Sequence, residues 1–235
     1  MMQLDLGPDP RTAALQQLHD MLIAHFGRVI RPPEKRRDPV WTLVQGVIGA
    51  RTKTQYSNVS ADNMLAKYGS WEAVAKVSHE ELTGMLSTAT YPSLMAERLK
   101  ACLQAIIAER GRVTLDHLHN LPTEEAMAWL ETLPGVARKV SAGVMNASTF
   151  NRSALVIDTN HRRVIQRMGL VPPKADSRRS YDQLMPLLPQ EWAPADVDEH
   201  HLLVKRVGQQ FCRPSYMACP SCPARPLCKT AQDVA

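Results

Sequence analysis

The sequence contains few aromatic residues and no long apolar run. Phenylalanine, tryptophan and tyrosine make up only 5% of the 235 residues, which disfavours a β-rich architecture built on aromatic and β-branched side chains. No apolar stretch approaches the roughly 20 residues of a membrane span, and the amino terminus lacks the basic and apolar segments of a secretory signal. We also find no alternating strand pattern of useful length and no simple repeat. These absences predict a mostly helical, cytoplasmic protein without a membrane partner.

The overall composition is that of a folded, mildly basic protein. Hydrophobic residues make up 44% of the chain, enough for the core of one large domain or two small ones. The formal net charge is +5, from 28 basic and 23 acidic residues, so the chain should be weakly attracted to polyanions.

Helix starts are marked by capping residues and prolines. Apolar residues at helical spacing predict a first helix over about residues 11–26. Asp38 before Pro39 predicts the start of a second helix, which should continue to about residue 50. Ser78 begins a capping-box pattern, and Pro92 opens a longer amphipathic segment. The helices are therefore expected to be short and closely spaced.

Four of the five cysteines lie in one short segment with the spacing C-x6-C-x2-C-x5-C, namely Cys212, Cys219, Cys222 and Cys228. Prolines in this segment disfavour a regular helix, so the chain can loop around a central group and direct several thiolates inward. Four thiolates suit either a structural zinc ion or an iron–sulfur cluster. Disulfides are disfavoured because they rarely persist in the cytoplasm. Cys102 stands apart and is expected to be a small core residue.

A turn containing glycine separates two helical segments at Leu-Pro-Gly-Val-Ala-Arg-Lys, residues 133–139. Such a turn before a helix exposes backbone N–H groups and the positive end of the helix dipole, which can bind a phosphate without reading bases. We expect Gly135, Ala137 and Arg138 to contact DNA in this way; an ordinary helix corner is the alternative. Lys139 lies beside Arg138 near the helix start, so we expect its pKa to fall and its amine to become nucleophilic.

An acidic residue begins the basic segment that follows an apolar stretch. Asp158 stands at an expected helix start, where it can serve as an N-cap. A carboxylate at that point could also stabilise positive charge on a sugar as a base leaves, and assist proton transfers. Asn160, two residues later, is a further candidate for DNA contact.

Together, the hairpin, Asp158 and the cysteine run resemble the endonuclease III family of DNA glycosylases. In that family the lysine matching Lys139 is the catalytic nucleophile, and an aspartate matching Asp158 supports it. The cysteine spacing resembles the family's [4Fe-4S] loop, which favours iron over zinc. The resemblance covers nearly the whole chain, from about Asp38 to Cys228.

This resemblance implies an all-α, helix-hairpin-helix glycosylase fold with two domains. The first is a six-helix barrel domain and the second is a helical cluster domain. Their implied limits are 32–151 for the barrel, with the motif at about 124–147, and 1–31 with 152–235 for the cluster domain, with the [4Fe-4S] loop at 212–228.

The implied function is that of a bifunctional DNA glycosylase/AP lyase of base excision repair. It would act as a monomer on double-stranded DNA in the nucleoid, flip out an oxidised pyrimidine, displace it with Lys139 and cleave the strand by β-elimination. The cluster would shape a basic loop in which Arg213 and Arg225 contact phosphates.

Two departures from the family leave the substrate open. The hairpin has Ala137 where the family usually has glycine, and Arg51 begins the segment where the family has Gln-Ala-Thr. Arg51 could fill the gap left by an extruded base or touch a phosphate. From Ala96 onward the chain also resembles DEMETER-type 5-methylcytosine glycosylases, so 5-methylcytosine or another modified pyrimidine is an alternative substrate.

Two other classes fit less well. An adenine glycosylase of the MutY type lacks the lysine that this chain has at Lys139. A non-catalytic iron–sulfur protein that binds DNA would keep the hairpin and the cysteines but would need neither Lys139 nor Asp158.

Overall fold

The computed structural model describes residues 9–233, which form helices joined by loops. Within this range the extended pairings are two isolated bridges, Arg37 with Ser148 and Cys212 with Met217, and no longer strand is found. The predicted all-α fold is therefore confirmed. None of the described helices is both long enough and apolar enough to cross a membrane.

Twelve α-helices follow one another along the described residues. They are α1 (Pro10–Phe26), α2 (Pro39–Ile48), α3 (Thr54–Tyr68), α4 (Trp71–Lys76), α5 (His79–Met85), α6 (Pro92–Arg110), α7 (Thr123–Leu130), α8 (Arg138–Ala147), α9 (Thr159–Met168), α10 (Ser177–Leu184), α11 (Pro194–Gln210) and α12 (Lys229–Asp233).

The chain divides into two compact units. Pro33–Arg152 forms one of them and is called the continuous unit below, because it is one uninterrupted segment. Of the described residues, 9–32 and 153–233 form the other, called the split unit. The limits lie one residue from those that the resemblance implies.

The continuous unit contains seven helical segments, α2 to α8, of which α4 and α5 are short. The segment between α3 and α6 is broken in two because a serine caps each half. The Ser70 hydroxyl accepts the N–H of Ala73 at 3.2 Å at the start of α4, and the Ser78 hydroxyl accepts the N–H of Glu81 at 3.2 Å at the start of α5. Each cap satisfies an N–H group that the first helical turn leaves without a partner.

Helix α2 contributes to the core of the continuous unit. Asp38 caps it as predicted, with its carboxylate accepting the N–H groups of Val40 and Trp41. Its residues Leu43, Val44, Val47 and Ile48 are buried. A β-carbon at Gly46 would lie 2.7 Å from Cγ1 of Val140, so the glycine lets α2 approach α8 closely.

Cys102 of α6 is 1% exposed, and burial raises its pKa to about 12, as expected for an inert core thiol.

In the split unit, α9 packs closely against α11. A β-carbon at Gly208 would lie 2.8 Å from both Cβ and the carbonyl oxygen of Asn160, so the two helices touch through the glycine. On the far side of α11, the indole N–H of Trp192 donates to the side chain of Gln16 on α1 at 2.9 Å. The amino-terminal helix is thereby tied to residues near the carboxyl end of the chain.

Candidate active site and cluster loop

The hairpin between α7 and α8 turns at a glycine, in a backbone conformation that would strain any other residue. Gly135 has φ of +80°, a conformation that side chains with a β-carbon rarely adopt. A β-carbon there would also lie 3.1 Å from Cβ of Arg98 and 3.4 Å from Cγ1 of Val47. The flanking residues Leu133 and Val136 are buried and anchor the turn from inside.

The amino end of α8 is open to solvent and has no capping side chain. Ala137 precedes the helix in an extended conformation, with φ of −125° and ψ of 174°, which any residue can adopt. The departure from the family's glycine is therefore accommodated without strain. Because alanine carries no acceptor, the side chain of the N-cap residue itself accepts none of the first N–H groups of α8. Lys139 is the second residue of this helix and is partly exposed.

Arg138 does not have the expected placement. Its side chain is 8% exposed, with Nε 2.8 Å from a carboxylate oxygen of Glu131 and NH1 3.1 Å from Glu124. A guanidinium held by two carboxylates is not available to a phosphate, so the expected DNA contact by this side chain is corrected. Its charge is also largely compensated, which leaves the helix dipole as the main local reason for a reactive Lys139.

Asp158 begins α9 and has two separate sets of partners. Its Oδ1 accepts the N–H groups of Asn160 and His161, both at 2.9 Å, so the expected N-cap is present. Its Oδ2 lies 3.7 Å from Nζ of Lys205, and the side chain is 13% exposed. The carboxylate is therefore tied to the backbone through one oxygen and to a cation through the other.

The pKa of Asp158 is held low by its surroundings. Burial acts to raise it, but the positive charge of His201, the N–H of His161 and the ammonium of Lys205 outweigh that effect and bring the pKa to about 2. The acid is thus ionised at any physiological pH.

One face of α11 supplies the groups around the start of α9. His201, Lys205 and Gly208 are spaced four and three residues apart, so they share a helix face. The Nδ1 atoms of His201 and His161 are 3.3 Å apart in stacked rings. Burial lowers the pKa of His161 to about 3, and the charge of His201 acts in the same direction, so His161 itself stays uncharged near neutral pH.

The four clustered cysteines are free thiols grouped in one loop. Burial raises the pKa of the Cys222 thiol, an N–H at Ala224 opposes this, and the charges of the other three cysteines add to the rise. The four sulfurs therefore act on one another electrostatically.

Their donor set indicates which groups they could hold. Four thiolates in one loop suit either a structural zinc ion or an iron–sulfur cluster.

Two arginines of α9 attach the cluster loop to the helix. Arg163 donates to the carbonyl oxygens of Cys212 at 2.6 Å and Gly208 at 2.7 Å, and to the side-chain oxygen of Asn160 at 3.0 Å. Arg167 donates to Sγ of Cys212 at 3.2 Å. The helix that begins at Asp158 is thus also the support of the loop.

The remaining predicted DNA contacts lie on different parts of the surface. Arg213 and Arg225 are exposed on the cluster loop. Asn160 is half-buried against Gly208. Arg51 is exposed, has φ of +58°, and lies with its NH1 3.4 Å from the hydroxyl of Tyr91. Such a backbone angle is uncommon for arginine and is often found at functional sites.

Sequence reasoning missed the partners that orient these groups. Lys205 was not singled out, although its spacing from His201 and Gly208 on one helix face was a usable signal. Arg163 and Arg167 were also missed, and their spacing of four residues on α9 places them on one face.

Comparison with known proteins places these features in a family. Residues 44–190, more than half of the chain, match the model of the HhH-GPD superfamily base excision DNA repair proteins. The chain is 24% identical over 209 residues to endonuclease III of Thermotoga maritima, covering 88% of this chain and 89% of that protein. It is 25% identical over 220 residues to a putative DNA repair glycosylase of Methanocaldococcus jannaschii, covering 91% and 95%. It is also 24% identical over 212 residues to the Transcriptional activator DEMETER of Arabidopsis thaliana, covering 85% of this chain but 10% of that protein.

Solved structures show the same fold. A trapped covalent intermediate of endonuclease III with DNA superposes with a TM-score of 0.75 at 22% identity, covering 95% of this chain and 98% of that one. A thermostable thymine-DNA glycosylase gives a TM-score of 0.70 at 21% identity, covering 95% and 97%. The predicted family is confirmed: this chain belongs to the HhH-GPD superfamily of base excision DNA repair proteins.

Proposed function

We propose that the protein is a bifunctional DNA glycosylase/AP lyase that removes a damaged pyrimidine and cleaves the strand. The observation that carries this proposal is the position of Lys139. Its amine stands in the first turn of α8, directly after an exposed glycine turn with no capping side chain. In a family of base excision repair proteins, such an amine can serve as the nucleophile that attacks the sugar of a damaged nucleotide.

The hairpin would bind the DNA backbone. A phosphate at the amino end of α8 would accept backbone N–H groups of the first turn, and the helix dipole would favour its negative charge. Backbone from Gly135 to Ala137 would supply this contact, without the side chain of Arg138. Such a contact reads no base, so it would hold any sequence and leave recognition to the extruded nucleotide.

Lys139 would then perform the chemistry. Its neutral amine would attack C1′ of the flipped nucleotide, and the bond from C1′ to the base would break with its electron pair leaving on the base. Loss of a proton from the nitrogen and opening of the sugar would give an imine. Removal of a proton from C2′ would expel the 3′ phosphate by β-elimination, and water would release the enzyme from the sugar.

Asp158 would assist by its charge. With a pKa of about 2 it stays ionised, so it is a weak proton acceptor but a permanent negative charge. We assign it mainly to the stabilisation of positive charge that develops on the sugar as the base leaves.

We assign a [4Fe-4S] cluster to Cys212, Cys219, Cys222 and Cys228. The support is the all-thiolate donor set in one loop, together with the similarity of the chain to endonuclease III proteins. When bound, the cluster would cross-link the loop and fix its shape. Arg213 and Arg225 on this loop would contact phosphates, as would Asn160 and Arg51 from their own positions.

Borohydride trapping tests the nucleophile. Reduction of the imine should link the protein covalently to duplex DNA that contains an abasic site or an oxidised pyrimidine. Lys139→Gln should abolish the linked product, whereas Lys76→Gln, at an exposed lysine of the same unit, should leave it unchanged. Undiminished trapping by the Lys139 variant would remove the assignment.

The relationship to DEMETER makes 5-methylcytosine a second candidate substrate. A panel of duplexes should decide, each with one altered base: an oxidised pyrimidine, thymine opposite guanine, or 5-methylcytosine. Faster release of 5-methylcytosine than of any oxidised pyrimidine would replace the first proposal by the second. Nicking of none of them, with DNA binding retained, would favour a non-catalytic DNA-binding protein.

The cluster has its own test. The purified protein should be brown, absorb near 400 nm and contain about four iron and four sulfide ions per chain. A colourless protein with one zinc ion per chain would contradict the assignment.

A further inference from the structure

One arginine contacts both ends of the cluster loop. Arg167 lies in the last turn of α9, and its NH1 donates to Sγ of Cys212 at 3.2 Å and to the carbonyl oxygen of Arg213 at 2.9 Å. Its NH2 lies 3.4 Å from the carbonyl oxygen of Pro214. One planar guanidinium therefore spans a cysteine sulfur and the backbone that follows it, a geometry that lysine cannot reproduce.

The backbone of the same residue holds the other end of the loop. The carbonyl oxygen of Arg167 accepts the hydroxyl of Thr230 at 2.7 Å and lies 3.6 Å from Sγ of Cys228. Both ends of the run are thus fastened to one position of α9, the first end through Cys212 and the last through Thr230.

Both arginines act on Cys212. The geometric hydrogen bonds of Arg163 end on oxygen atoms and fix the path of the backbone, although its guanidinium also interacts with the Cys212 side chain. The hydrogen bond of Arg167 to Cys212 ends on an atom that would itself bind iron. A charged donor to a ligating sulfur draws electron density from it, which stabilises the more negative, reduced form of a cluster and raises its reduction potential.

We propose that Arg167 is a positioning residue for the cluster: it fastens both ends of the loop and raises the reduction potential of the bound cluster. This inference rests on the proposed function, since it requires that the four cysteines hold iron and sulfide. It goes beyond the proposed function because it predicts a raised reduction potential of the cluster, which an arginine that only holds the loop would not produce.

The test compares substitutions at two arginines of the same helix in the holoprotein. Arg167→Met removes the charge and the donors, and Arg167→Lys keeps the charge but loses the planar fork. Arg162→Met is the matched control, because Arg162 is half-buried in α9 and carries the same charge. The midpoint potential is measured by redox titration followed by electron paramagnetic resonance. Cluster loss is followed by the absorbance near 400 nm in the presence of a chelator.

Arg167→Met should lower the midpoint potential more than Arg162→Met does, and it should lose the cluster about 10-fold faster than the control. Arg167→Lys should fall between the wild type and Arg167→Met in both measurements. The comparison with Arg162→Met separates the local hydrogen bond from the general effect of removing one positive charge.

Iron and sulfide in the wild-type protein are determined first, so that two different failures stay distinct. A wild type without iron would refute the cluster itself. A wild type with four irons, in which Arg167→Met matches Arg162→Met in potential and loss rate, would overturn the role of Arg167 alone. If Arg167→Met does not fold, Arg167→Lys decides: wild-type values in both measurements would overturn the proposal.

Discussion

Gly208 should be one of the most sensitive positions of the split unit. It lies on α11 where that helix meets α9, and a β-carbon there would be 2.8 Å from Cβ and 2.8 Å from the carbonyl oxygen of Asn160. Two of the nearest atoms, the carbonyl oxygen and carbon of Asn160, belong to the backbone and cannot turn aside. Gly208→Ala should therefore push the two helices apart.

The size of the effect follows from these distances. Carbon atoms in contact sit about 3.5 Å or more apart, so α9 and α11 must separate by roughly 0.7 Å. Overpacking of this kind costs about 1–3 kcal/mol. For a chain of this length, about 2–4 °C of Tm is lost per kcal/mol, which gives a decrease of about 2–12 °C. Asn160 is two residues from Asp158, so trapping of DNA by folded protein should also fall, by about 10- to 100-fold.

Thermal unfolding and borohydride trapping would be measured on Gly208→Ala and on Gly84→Ala. Gly84 lies in α5 with no atom within 4 Å of a built β-carbon, so alanine there should be neutral or should stabilise by up to about 1 kcal/mol. Both variants gain the same helix propensity, and their difference isolates the steric cost. Equal Tm values for the two variants would show that the contact at Gly208 does not limit the approach of the helices.

Three further outcomes are expected. Arg138→Met should destabilise the protein by about 3 kcal/mol in urea unfolding, because Glu131 is left buried without its cation. The salt dependence of DNA binding should not change. If the dissociation constant of the variant depends less steeply on salt concentration, Arg138 is a phosphate contact after all. Lys205→Met should raise the pKa of Asp158 above about 2, seen by carboxyl NMR titration, and an unchanged value would contradict the ion pair. Burial lowers the pKa of His161 from 6.5 to about 3. Between pH 6.5 and pH 3 the unfolded chain therefore binds more protons than the folded one, so stability should fall as the pH falls through this range. The free energy of unfolding measured at about pH 7 and about pH 5 checks this, and equal values would refute it.

Features set by a few neighbouring residues could be predicted from the sequence. Asp38 and Asp158 were expected as N-caps, and both accept N–H groups two and three residues ahead. Gly135 was expected in a tight turn, and its positive φ agrees. A cap or a turn depends on hydrogen bonds within one turn of chain, so local sequence is sufficient to specify it.

Features set by how helices pack could not be predicted in the same way. Arg138 was expected to contact DNA beside Lys139, but the return of α8 toward the end of α7 places its guanidinium against Glu131. Lys205 is distant from Asp158 in sequence and approaches it only because α11 packs on α9. The spacing of the cysteines likewise left zinc and iron open, since the distance between sulfurs depends on the folded path of the loop.

The division of the chain has a consequence for synthesis on the ribosome. The continuous unit, Pro33–Arg152, is complete once residue 152 has emerged, so it can form its core during translation. Helix α1 cannot form its native contacts at that stage, because the hydrogen-bond partner of Gln16 is Trp192, which has not yet been synthesised. The 40 residues from Ser153 to Trp192 (192 minus 152) take about 2–8 s to add at 5–20 residues per second. During that interval the apolar side of α1 has no native partner, which makes this helix the segment that a nascent-chain chaperone would be expected to protect.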